Sequence, residues 1–249
     1  MKVLKHITIF LILASIYHCL YGQKNDVVFG FHLEPIIPNR MFRIQAEDID
    51  KEDVSFSVIP QTGYLFGSHL SFQITNKFTI ESGINIVQRK IEMVASEQHQ
   101  DVSMNYKIHN FEIPLASTFF VRLSEKIYMG QTVGVSFQLL PSHLISSSSW
   151  VDSSGTLSKF QQISYRRNWL VPSFKGSVGF EYRSENDGYF YFGGIYHLFT
   201  KMYTTQISYK TSTINELFDI YPQSDFFGII FRYSFPPTQL KINKKKKKT

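Results

Sequence analysis

The chain has 249 residues, of which 16 % are aromatic and only 18 % charged, against about 25 % charged in a typical soluble domain. This composition excludes intrinsic disorder, and the one apolar run near spanning length lies at the N-terminus, which excludes a helical membrane bundle. The net charge of +6 is gathered at the ends, in Lys2, Lys5, Lys241 and Lys244 to Lys248; without those eight, 18 basic residues face 20 acidic ones. No basic face is left, so nucleic acid is not an expected partner.

Residues 1–22 read as a signal peptide. Lys2 and Lys5 supply the positive start, Ile7 to Ala14 the apolar core, and Gly22 the small residue before a cut that leaves Gln23 first. The core is too short for a spanning helix, and His18 interrupts it. Cys19 is the single cysteine. Bulky residues before it disfavour lipidation, and its removal leaves a mature chain without disulfides, thiolate metal sites or a cysteine nucleophile.

From Val27 onward the period is two. Phe78, Ile80, Ile84 and Ile86 alternate with Thr79, Glu81, Gly83 and Asn85, which makes a strand with one apolar and one polar face. Leu170 to Tyr182 and Phe227 to Phe235 repeat the pattern. Eight strands are expected, at 27–36, 62–74, 78–90, 106–121, 126–140, 169–182, 188–201 and 225–235.

Short and long connections alternate between them. Thr75 to Lys77, Arg122 to Glu125 and Arg183 to Asp187 are tight and rich in turn residues. Ile37 to Gln61, Ile91 to Asn105, Pro141 to Asn168 and Met202 to Ser224 are long. That segregation is the design of an up-and-down transmembrane barrel, with short periplasmic turns and long outer loops. Aromatics gather near strand ends, at Tyr64, Phe66, Phe119, Phe120, Tyr182, Tyr189 to Phe192, Tyr233 and Phe235, where membrane girdles would lie. A soluble lipocalin-like barrel binding a ligand is the competing fold, because periodicity alone does not say which face is inside.

The leader, Gln23, eight strands and the segment Phe111-Glu112-Ile113-Pro114-Leu115 together resemble the small outer-membrane β-barrel proteins of Bacteroidetes, among them the PorT-like proteins. The resemblance covers Gln23 to Phe235. It implies an OmpA-type eight-stranded barrel and a role linked to type IX secretion; from the residues themselves no catalytic site, cofactor or metal is expected.

Three features invite a chemical reading. His69-Leu70-Ser71 is similar to the His-x-Ser pair of outer-membrane lipid A deacylases, but Leu70 and Phe72 lie on the apolar face and turn His69 and Ser71 away from lipid. Pro114 and Pro172 interrupt expected strands and predict local bulges. Ser146 to Ser149 before Trp150 predicts a polar, solvated loop. The histidines are scattered without metal-ligand spacing, and the glycines fit curvature better than phosphate binding.

The expected architecture is a signal peptide at 1–22, an all-β outer-membrane barrel at 23–235 and a Lys-rich disordered tail at 236–249. Its partners would be membrane lipid and proteins met through the outer loops or periplasmic turns. Eight strands leave an interior filled by side chains. Counting residues up from the short turns groups Glu81, Glu181 and Arg232 low, and Arg89, Glu112 and Lys175 higher, as two stacked ion-pair clusters. A lipid-modifying enzyme is the alternative function.

Overall fold

The computed structural model describes residues 26–37, 47–50, 54–97, 100–151, 155–184, 186–221, 225–236 and 238–239. The leader at 1–22 and the lysines from Lys241 onward lie outside the described residues. All regular structure described is strand, paired antiparallel. In chain order the strands are β1 (Asp26–Ile37), β2 (Glu47–Asp50), β3 (Val54–Thr75), β4 (Phe78–Ser82), β5 (Asn85–Glu97), β6 (Gln100–Arg122), β7 (Ile127–Leu139), β8 (Leu144–Val151), β9 (Leu157–Arg166), β10 (Leu170–Ser184), β11 (Gly188–Phe199), β12 (Tyr203–Lys210), β13 (Asn215–Ile220), β14 (Phe226–Ser234) and β15 (Thr238–Gln239).

The all-β antiparallel expectation holds, but fifteen strands rather than eight are found among the described residues. The eight expected segments are nine of these strands, because 78–90 is split into β4 and β5 at Gly83-Ile84. Their pairings run β1, β3, β4 with β5, β6, β7, β10, β11, β14 and return to β1. β2, β8, β9, β12 and β13 arise in the connections expected to be loops, and β15 pairs with the start of β1 from within the segment 236–249 expected to be a disordered tail. β8, β9, β12 and β13 form a separate four-stranded sheet, and β3, β5 and β6 extend well beyond their expected limits to face it.

Both prolines are accommodated without the expected bulges. Pro114 pairs in regular register with Ser136 on β7, and on its other side it falls where β4 stops at Ser82 and β5 has not begun. Its missing N–H therefore costs no ladder bond. Pro172 lies one residue beyond the β10–β11 ladder, which begins at Ser173. The register shifts occur instead at Gln61/Tyr64 and Gln73/Thr75.

The three short turns carry the chemistry their residues imply. Thr75 accepts the Lys77 N–H at 3.1 Å, Ser124 the Ile127 N–H at 3.2 Å, and Ser184 the Asp187 N–H at 3.3 Å. Gly188 closes the last turn at φ +87°, a conformation that favours glycine.

Alternation along the strands has opposite senses in two parts of the molecule. In the circuit, one face buries His32, Glu34, Glu81, Glu112, Gln138, Ser173 and Arg232, while Phe31, Phe66, Phe137, Val178, Phe192 and Phe231 lie exposed on the other. Beyond the far end from the short turns, Val54, Phe56, Val58, Ile91, Met93, Met104, Tyr106 and Ile108 pack against Phe160, Ile207, Tyr209 and Ile220 of the second sheet. We call this apolar-cored part the cap. Ser146 to Ser149 belong to β8 of the cap rather than to a loop, and the Trp150 ring sits 5.8 Å from that of Tyr209.

Candidate functional site

The buried polar face of the circuit forms a column of interlocked side chains. At the end near the short turns, Arg232 on β14 donates from Nη1 to Glu81 on β4 at 3.0 Å and from Nη2 to Glu181 on β10 at 3.1 Å. Glu81 also accepts the Thr118 hydroxyl at 2.7 Å. Glu181 accepts Arg183 Nε at 2.7 Å, and the Arg183 guanidinium lies over the rings of Phe120 and Tyr128 at 4.4 and 4.1 Å. Each carboxylate is thus held by a planar cation with directed donors, the arrangement that offsets the cost of burying charge.

Tyr191 supports Arg232 from the side, its ring 4.5 Å from the guanidinium carbon. Room for that ring comes from glycines. A Cβ at Gly179 or Gly193 would press on the Tyr191 ring or the facing backbone, and one at Gly130 would meet the same ring and Phe120. Phe120 and Tyr191, counted among girdle aromatics from sequence, therefore point inward.

Farther from the turns, Glu112 on β6 is fully buried. It accepts Gln138 Nε2 at 2.6 Å and Asn85 Nδ2 at 3.1 Å, with Lys175 Nζ at 3.9 Å. His197 Nδ1 lies 3.9 Å from the same carboxylate, and its Nε2 lies 3.1 Å from Glu34. His32 Nε2 stands 3.5 Å from the other oxygen of Glu34. Two imidazoles therefore flank one carboxylate.

Arg89 sits at the boundary with the cap. It donates to Asn110 at 3.2 Å and to the Met202 sulfur at 3.3 Å, under the Phe199 ring at 4.4 Å. Asn110 in turn donates to Gln138.

The structure thus brings together Glu81, Glu181 and Arg232 at one level and Glu112 with Lys175 at another. Arg89 lies beyond the second level, on an amide, a thioether and an aromatic ring. Sequence reading missed the part played by Glu34, His32, His197, Gln138 and Asn85. Their signal was parity within a strand, which places each on the polar face; what was lacking was the register that sets Glu34 beside His197, 163 residues away. His69 and Ser71 are both buried in the column.

No family model and no curated protein matches the chain. Solved structures offer limited likeness. The outer membrane protein OprG from Pseudomonas aeruginosa is 12 % identical, with a TM-score of 0.48 over 86 % of this chain and 97 % of that one. The outer membrane protease OmpT from Escherichia coli is 9 % identical, with a TM-score of 0.30 over 84 % and 95 %. The beta domain of the Bordetella autotransporter BrkA is 8 % identical, with a TM-score of 0.27 over 86 % and 100 %. At these TM-scores none of the three assigns an activity to this chain.

Proposed function

We propose that this chain is an outer-membrane β-barrel protein with a plugged interior and a structural or interaction role. The observation that carries the reading is the inverted polarity of the circuit. A sheet that buries four glutamates and exposes Phe31, Phe66, Val178, Phe192 and Phe231 is unfavourable in water, and is the arrangement that lipid outside and side chains inside would select. Eight staves give an interior that side chains can fill. A lipocalin-like pocket needs the reverse, an apolar interior for its ligand.

In this reading the three short turns are periplasmic and the cap faces outward. The cap and the turns are the surfaces available to protein partners, and lipid meets the aromatic wall. His69 and Ser71 point into the column, away from any lipid substrate, which favours an interaction role over a lipid-modifying enzyme. A PorT-like role in secretion is the narrower form of the proposal. Its support is the segment Phe111-Glu112-Ile113-Pro114-Leu115, whose proline occupies the gap between β4 and β5.

The test is fractionation with topology mapping. The protein should sediment with outer membrane and change mobility when heated before electrophoresis. A tag at Gly155, exposed in the β8–β9 connection, should be reached on intact cells, and one at Asn76 should not. Recovery in the soluble periplasmic fraction would overturn the proposal, and reversed labelling would invert the barrel.

A further inference from the structure

Three buried imidazoles lie in the column, His32 on β1, His69 on β3 and His197 on β11. Charged groups face them from most staves: Glu34 on β1, Glu81 on β4, Arg89 on β5, Glu112 on β6, Lys175, Glu181 and Arg183 on β10, and Arg232 on β14. β7 adds the neutral Ser136 and Gln138. Among the described residues, four carboxylates therefore meet four permanent cations. Asp225, at the cap rim near Arg89, adds a fifth carboxylate and accepts the Phe199 N–H at 2.7 Å.

Most of these carboxylates are engaged. Glu81 and Glu181 share Arg232, and Glu181 also takes Arg183. Glu112 is held by Gln138, Asn85 and Lys175. Glu34 has imidazoles alone as its nearest ionic partners, His197 at 3.1 Å and His32 at 3.5 Å, whereas Glu112 has Lys175 as well as His197 at 3.9 Å. One carboxylate balances one protonated imidazole, not two. His69 is worse placed: its charged neighbours are Arg232, Lys175, His32 and a Glu81 already committed to Arg232. Charge in the column is balanced only while most of its imidazoles are neutral.

We propose that the column is an acid-released plug, closed near neutral pH and opened when His32 and His69 take up protons; this rests on the barrel reading above. Protonation sets new positive charge beside Arg232 and Lys175, in a narrow interior where water does not screen it. The repulsion is relieved when the Arg232 cluster separates or water enters between the levels. Either change wets the interior from the short turns upward, because side chains and not the wall fill it, and conduction follows when the apolar layer of Ile36, Leu65, Val87 and Phe226 parts as well. The sign is fixed by chemistry: imidazoles ordinarily titrate near pH ~6.5 and carboxylates near ~4, so mild acid adds positive charge before it removes negative charge.

The experiment is potassium chloride conductance of the full chain in planar bilayers, with insertion first verified by the heat-dependent mobility shift in matched liposomes. From about pH 7 down to about pH 4, conductance should rise at least roughly tenfold and fall again on neutralisation. A His32→Gln, His69→Gln double variant should insert equally and keep its low conductance at the lower pH. Inserted protein whose conductance ignores pH would overturn the plug and leave the barrel intact, as would a rise that persists unchanged with His197→Gln added. A chain that does not insert overturns the barrel reading and the plug with it.

Discussion

The column and the cap are made from the same material, strands whose residues alternate between apolar and polar, yet what they bury is opposite in polarity. Around Arg232 the polar face is enclosed and the apolar face exposed; around Phe56 the apolar face is enclosed. The strands β3, β5 and β6 take part in both, so the sense changes along single strands. Leu65 and Val87 lie buried near that change. Below it, Glu81, Glu112 and His69 are buried; above it, Phe56, Met93 and Tyr106 are. On β6 the even-numbered residues are buried from Met104 to Phe120, so one side is hidden throughout and its chemistry inverts, polar at Glu112 and Thr118 and apolar at Met104 and Tyr106. On the barrel reading proposed above, lipid around one part and water around the other gives one fold both senses.

The largest expected effect breaks the comparison on the column side. Replacing Arg232 with Leu leaves Glu81 and Glu181 buried without their shared cation, which costs about 3–5 kcal/mol. The temperature of the heat-dependent mobility shift should fall accordingly, while membrane insertion persists. Adding Glu81→Gln and Glu181→Gln should recover most of that loss. Stability unchanged in Arg232→Leu would show that the cluster contributes nothing to the fold.

A smaller effect sharpens the comparison on the outside. Val178 is 55 % exposed on the apolar face of β10, near the middle of its strand. Val178→Lys should cost about 2–4 kcal/mol if lipid lies there. Ser147→Lys, on the exposed face of β8 in the cap, should change stability by less than about 0.5 kcal/mol, because water already surrounds it. Denaturant titration in liposomes reads both. Equal, near-zero costs would place the two surfaces in the same medium.

The staves were legible because their alternation is long and their turns carry Thr75, Ser124 and Ser184 at the positions where a hydroxyl caps an N–H. The cap was not. Its β8 is a run of serines without apolar alternation, and Pro60 interrupts β3 where its extension begins, so the local signal reads as loop and only long-range packing on Phe56 and Tyr209 makes it strand. The polar column was partly legible. Parity put Glu81, Glu112, Glu181, Lys175 and Arg232 on one face, and counting from the turns placed the three members of the lower cluster, Glu81, Glu181 and Arg232, at one height. Counting failed for Arg89, because strands tilt and stagger, so equal residue counts on β5 and β10 do not mean equal height. Parity also places Glu34 on the polar face, but its partner His197 is fixed by the β1–β14–β11 register, which no count along a strand supplies.

The smallest effect is confined to the cap and tests its dryness. Burial, helped by the nearby Glu97 carboxylate, pushes the Tyr209 phenol up to about 12, above the ordinary value near ~10. Burial raises Tyr106 and Tyr203 in the same core as well. A group whose proton is held more tightly in the folded state stabilises that state fully below its unfolded value, and the contribution is lost as pH rises through the folded value. The cap should therefore keep its packing up to pH ~10 and loosen between there and about 12, the span over which Tyr209 is held neutral against its ordinary titration. Near-ultraviolet circular dichroism of the folded protein follows the aromatic cluster of Phe56, Phe160, Trp150 and Tyr209 across that range. Tyr209→Phe removes one titrating group and should shift the loss of signal to higher pH, with Tyr106 and Tyr203 accounting for what remains. Identical curves for the two proteins would mean that the Tyr209 hydroxyl already reaches water, and that the cap core is wetter than its packing indicates.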